Sequence, residues 1–72
     1  MTNKLKVFRT IKGVSQQELA DRMRVSRQTI HAIENNKYSP TLLLALKMAA
    51  FLDCSIDELF QLESSDLPEE KG

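Results

Sequence analysis

Glycine and proline are scarce in this sequence, with two of each among 72 residues, and tryptophan is absent. So few breakers leave long stretches free to be helical, and no alternating run rich in Val, Ile or Tyr points to a sheet. One cysteine, Cys54, excludes an internal disulfide and a multi-cysteine zinc site, and fits a reducing compartment. The only histidine, His31, has no second imidazole to share a metal, so no metal ion and no cofactor are expected. There is no Ser/His/Asp set, no cleft of paired carboxylates and no phosphate-cradling glycine loop, so catalysis is not expected either. No apolar run approaches a membrane span and the first residues lack a signal-peptide layout. A cytoplasmic chain without membrane contact is the expectation.

Apolar residues are present in quantity, 42% of the chain, and recur at helical spacing. An all-α domain follows. At this length only about 60% of the unfolded surface is buried on folding, so the core must be thin. The charges cancel overall but not locally. Met1 to Met48 carries nine Lys and Arg against three acids, net +6, whereas Ala49 onward carries seven acids against Lys71, net −6. Such a molecule can offer a basic side to a polyanion while its other half stays acidic.

The chain is organised around Ser15–Lys37, SQQELADRMRVSRQTIHAIENNK. Ser15 with Glu18 forms a capping box, and Val14 with Leu19 a hydrophobic staple. The staple recurs at Val25 and Ile30 around Ser26. Two helix starts eleven residues apart give the first helix about two turns before the chain must bend. Leu19 and Met23 stripe the first helix, Ile30 and Ile33 the second, and Val25 closes the corner. Ala20 is small where the two must cross. Left on the outer face of the second helix are Arg27, Gln28, His31 and Asn35, all donors or acceptors.

Gln16 to Asn35 resembles the helix-turn-helix of the lambda-repressor/Cro-like (XRE) family of DNA-binding regulators. SQxELA, VSRQTI and IENxK come in order at the family's spacing, followed by SPTLxxALKMA and SIDELF. The likeness extends from about Leu5 to Leu62 and implies a compact five-helix lambda-repressor-like domain. It further implies a sequence-specific transcriptional regulator of double-stranded DNA, more in keeping with a repressor, binding a palindromic operator as a homodimer. Arg27, Gln28, Thr29 and His31 are then expected at base edges in the major groove. Arg suits guanine O6 and N7, and Gln suits adenine N6 and N7. Gln16, Gln17, Ser26, Asn35, Lys37 and Tyr38 are expected at phosphates, with a core-packed anchor as the alternative for Tyr38. Arg9 is expected to pair with Glu34 as a structural lock, a phosphate contact being the alternative. Arg24, Asn36 and Asp53 stand where the family commonly has glycine at helix ends, which implies left-handed backbone at all three.

The remaining segments complete the domain, residues 1–63, ahead of an acidic tail, 64–72, expected to be without fixed structure. Asn3 to Lys12 reads as a helix with Leu5, Phe8 and Ile11 on its apolar face and Val7 partly shared. Gly13 ends it. Thr41 to Leu52 is apolar nearly all round, the mark of a buried helix. Leu42, Leu44, Ala45, Leu46, Met48, Ala49 and Leu52 are assigned to the core, and Leu43 and Ala50 to the surface. Ser55 with Glu58 repeats the capping box, with Cys54 and Leu59 as its staple. Phe60 and Leu62 alternate with Gln61 and Glu63, which suits a short C-terminal strand or a dimer-closing segment. Leu43, Ala50, Phe60 and Leu62 are the expected dimer contacts. Two further possibilities stand beside the regulator: an antitoxin whose acidic C-terminal half engages a protein partner, and a protein-interaction module on the same fold.

Overall fold

The computed structural model describes residues 1–69 and contains five helices: α1 (Leu5–Lys12), α2 (Gln16–Met23), α3 (Arg27–Glu34), α4 (Leu42–Phe51) and α5 (Ile56–Leu59). This is the all-α, five-helix architecture expected from the sequence. Four of the helices start on a hydroxyl, because the first backbone N–H groups of a helix need an acceptor from outside it. Glu18 N donates to Ser15 Oγ at 3.0 Å, and Thr29 N to Ser26 Oγ, Leu44 N to Thr41 Oγ1 and Glu58 N to Ser55 Oγ, each at 3.2 Å. The Glu18 and Glu58 carboxylates return the bond to the cap's own N–H. The Ser55 N–H, and after it the Ser55 hydroxyl, hold the Glu58 carboxyl below the usual carboxylate range.

The first four helices also end alike. Val14, Val25, Lys37 and Cys54 donate their N–H groups to the carbonyls of Arg9, Ala20, Ala32 and Ala49 at 2.9–3.1 Å. The residue before each donor is left-handed: Gly13 at φ 77°, Arg24 at 59°, Asn36 at 59° and Asp53 at 55°. This is the Schellman ending, which satisfies carbonyls the helix itself leaves free. Asn and Asp tolerate that conformation better than Arg, so Arg24 is the most strained of the four.

Leu5, Leu19, Ala20, Ile30, Met48 and Leu59 are fully buried, and Ile33 nearly so. Phe8, Val14, Val25, Phe51, Cys54, Ile56 and Phe60 pack around them half-buried. Cations cover what the thin core leaves open at Phe51. Lys12 Nζ lies 5.0 Å and the Arg22 guanidinium 5.7 Å from the ring centroid, and Lys12 also reaches Asp53 Oδ2 at 3.2 Å. A second tie crosses the domain's centre. Arg9 Nε donates to Glu34 Oε2 at 2.8 Å, and Gln16 Nε2 to Glu34 Oε1 at 3.0 Å. The Arg9 and Glu34 side chains keep only 14% and 6% of their accessible surface.

Phe60–Gln61 forms the short C-terminal strand (β2), and its partner is at the other end of the chain: Thr2–Asn3 (β1), antiparallel, with Asn3 opposite Phe60. The sequence offered no sign of β1. Ser64–Asp66 forms a 3-10 turn at the start of the segment expected to lack fixed structure, and residues 70–72 lie outside the described residues. No helix among the described residues is long and apolar enough to cross a membrane.

Three core assignments are corrected. Leu42, Leu46 and Ile11 are 70%, 48% and 74% exposed. On α4 the buried side is Leu44, Ala45, Met48 and Ala49, continued by Leu52. At about 100° per residue, Leu42, Leu46 and Ala50 fall together on the opposite side, beside Leu43. Among the described residues no further layer covers that side, so this all-apolar helix is half in water. On α1 the buried Leu5 and half-buried Phe8 turn Val7 and Ile11 outward in the same way.

Replacing Arg24 by glycine removes the left-handed strain at the cost of a looser unfolded chain, and is expected to raise unfolding stability by about 0.5–1 kcal/mol in urea titrations. Glu34→Gln leaves Arg9 buried without its counter-charge. It is expected to lower stability by about 3 kcal/mol, read as a fall in the urea midpoint at unchanged m-value.

Candidate nucleic-acid interface

The outer face of α3 follows from what its inner face must bury. Ile30 and Ile33 point into the core, and the helical period then carries Arg27, Gln28, His31 and Asn35 outward within an arc of about 100°. All four are exposed. Asn35 folds back over the helix, its Nδ2 donating to the His31 carbonyl at 2.8 Å and lying 3.4 Å from the imidazole Nε2. Arg27 and Gln28 project from the first turn, directly after the Ser26 cap. Every group on the arc is polar, and none is buried or paired with an acid.

Thr29 stands apart from this arc, about 200° round the helix from Arg27. It is half-buried, its Oγ1 lies 3.0 Å from Ser26 Oγ, and it lines a shallow cavity of about 280 Å³ with Met23, Val25 and Tyr38. The other wall of that cavity is the start of α4, Thr41, Leu43, Leu44 and Lys47. Tyr38 is half in solvent there rather than enclosed in the core. Ala32 is a position the sequence reading passed over. It lies one turn beyond Gln28 on the same line of the helix, and its methyl leaves room for a close approach on that side. Its small size next to polar neighbours is the only trace of this in the sequence.

The residues expected at phosphates surround the arc. Gln16 opens α2, with one amide hydrogen on Glu34 and the other available. Gln17 is exposed and donates to Asp21 Oδ1 at 2.8 Å, within its own helix. Ser26 is the exposed cap of α3, and Lys37 follows the left-handed turn at Asn36. Among the described residues, Arg24 in the turn before α3, Arg27 within it and Lys37 beyond it are exposed cations without an ion pair. Unpaired charge bracketing a helix of hydrogen-bonding side chains suits a polyanion whose edges carry donors and acceptors.

Of the residues expected at a subunit interface, Leu43 and Leu62 are 69% and 67% exposed, and Ala50 is exposed beside Leu46. Phe60 is half-buried against the core and held in the two-stranded sheet.

Comparison with known proteins agrees with this geometry. Residues 5–59 match the helix-turn-helix family HTH_3. An uncharacterized HTH-type transcriptional regulator of Methanocaldococcus jannaschii is 46% identical over 66 residues, spanning 92% of this chain and all of the relative. The uncharacterized HTH-type regulator YgzD of Bacillus subtilis is 41% identical over the same length, again 92% of this chain and the whole relative. Among solved structures, the restriction-modification controller protein C.AhdI of Aeromonas hydrophila superposes with a TM-score of 0.70 at 36% identity, over 78% of this chain and 85% of that one. The biofilm regulator SinR in complex with DNA gives 0.67 at 33% identity, over 74% and 86% of the two chains. The SinR–SinI complex gives 0.73 at 30% identity, over 90% of this chain and 64% of that one. This chain belongs to the HTH_3, or XRE-type, helix-turn-helix family of DNA-binding transcriptional regulators.

Proposed function

We propose that the protein is a cytoplasmic repressor that recognises a palindromic operator as a homodimer, with α3 lying in the major groove. The observation that carries this reading is the exposed arc Arg27, Gln28, His31 and Asn35, bracketed by the unpaired cations Arg24 and Lys37. Arg27 and Gln28 take the base edges nearest the start of α3, and His31 reaches one turn further along. Thr29, with a methyl as well as a hydroxyl, suits a thymine methyl or the adjoining strand. Gln16 and Gln17 at the start of α2, where the helix terminus itself favours an anion, hold one phosphate strand together with Ser26. Asn35, Lys37 and Tyr38 hold the other.

One α3 spans too few base pairs for a unique address, and helix-turn-helix proteins meet this by pairing over half-sites about 34 Å apart. The exposed stripe of α4, Leu42, Leu43, Leu46 and Ala50, is the surface we assign to a second copy, and the exposed Leu62 is a further candidate. The bound SinI in the SinR neighbour supports a second reading for the acidic half: a protein partner, a toxin among the candidates, that engages residues beyond Ala49. A toxin reading frame beside the gene marks that case, whereas a tail that can be deleted without effect argues against it.

Selection of bound duplexes from a random pool at moderate salt tests the proposal. Recovery of two inverted half-sites one helical turn apart is expected, and recovery of no motif overturns it. On the selected duplex, Arg27→Ala is expected to flatten preference at one position of each half-site, by about 1–3 kcal/mol of discrimination. An equal loss on every sequence instead assigns Arg27 to a phosphate.

A further inference from the structure

We infer that Asn3 is a positioning residue for the DNA-backbone contacts made just beyond α3, an inference that rests on the DNA-binding reading above. Its carboxamide makes three hydrogen bonds, two of them to residues thirty or more positions away. Nδ2 donates to the Ile33 carbonyl at 2.7 Å and to Asn36 Oδ1 at 2.9 Å, while Oδ1 accepts the Leu5 N–H at 3.0 Å. One side chain therefore joins the start of α1, the last carbonyls of α3 and the left-handed residue that turns the chain away from α3.

The turn at Asn36 decides where its neighbours point. Asn36 sits at φ 59°, and the Asn36 and Lys37 N–H groups are tied to the carbonyls of Ile33 at 3.0 Å and Ala32 at 2.9 Å. Those backbone bonds close the helix; the bond from Asn3 to the Asn36 side chain fixes the turn to the rest of the domain. Arg9 and Glu34 do not do this, since their pair stops at the last residue of α3. Asn3 is itself held, opposite Phe60 in the β1–β2 pair and beside the Lys4 N–H bond to the Leu59 carbonyl at 2.9 Å. The strand pairing opposite Phe60 and the Lys4–Leu59 bond thus hold Asn3 in place, and its side-chain bonds carry that hold on to Asn36, between Asn35 and Lys37. With the turn already ordered, these two residues meet the phosphate strand without an ordering cost at binding. Base readout by Arg27 and Gln28, at the opposite end of α3, does not depend on the tether.

The test compares wild type and Asn3→Ala on the selected duplex and on a scrambled duplex, across a salt series, with the active fraction of each preparation titrated. The expected result is an equal three- to tenfold loss, roughly the worth of one to two hydrogen bonds, on both duplexes. The log–log salt slope should also be shallower by about one, as for one lost phosphate contact. A purely structural role lowers the active fraction or the melting temperature and leaves the slope of the folded protein unchanged, which overturns the inference. So does a loss confined to the selected duplex. If Asn3→Ala does not fold, Asn36→Gly is read in the same way against Asn36→Asp, which keeps both the backbone's stiffness and an acceptor for Asn3 Nδ2 and is expected to bind more tightly than Asn36→Gly. A wild type that binds and a variant indistinguishable from it overturn this inference alone, whereas a wild type that binds neither duplex overturns the DNA-binding reading with it.

Discussion

A single carboxylate, that of Glu34, governs how the three helices around the interface sit. It is almost wholly withdrawn from water, and a buried carboxylate is tolerated only when its charge and lone pairs are met. Arg9 brings α1 to it and Gln16 brings the first turn of α2, so the end of α3 is fixed against both. Apolar packing is non-directional, whereas hydrogen bonds and ion pairs fix an orientation. The directional bonds to Glu34 therefore hold the end of α3, the helix that carries Arg27 and Gln28, against α1 and α2.

Two surfaces are left over once the core is closed, and their chemistries differ. Burying Ile30 and Ile33 leaves a polar arc on α3 with unpaired cations on either side. Burying Leu44, Ala45, Met48 and Ala49 leaves a leucine stripe on α4. The first surface is the one to which the proposed DNA contact is assigned. The second has no role within one copy of the chain, which is why the proposed dimer is placed on it and not on Phe60, whose ring is engaged by the core.

What the sequence revealed were the features whose causes are local. Ser15, Ser26 and Ser55 announce helix starts because a cap acts over three residues. Arg24, Asn36 and Asp53 were identifiable through the family resemblance, which puts glycine, and so left-handed backbone, at those helix ends. The inward face of α4 was not legible. In LLLALKMAAF nearly every position is apolar, so no periodicity says which side is buried, and only the packing of the other helices decides it. The link from Asn3 to Ile33 and Asn36 was equally hidden, since it joins segments some thirty residues apart and leaves no mark in the local pattern. The half-buried setting of Thr29 and the place of Ala32 one turn beyond Gln28 were hidden for a related reason: residue type suggests what a side chain can bond, but the helical wheel decides what it faces.

The pairing of Thr2–Asn3 with Phe60–Gln61 has a kinetic side. Most contacts in this chain are between neighbouring helices, and such contacts form early because little loop entropy is spent on them. The two-residue strands are instead joined across nearly the whole chain, and so short a sheet is marginal without its surroundings. It is accordingly the last clasp to fasten as the domain folds and the first to slip in local opening, while the helices stay formed. Amide exchange in the native protein should therefore begin at this seam, far in sequence from Ile33 and Asn36, to which the Asn3 side chain is bonded.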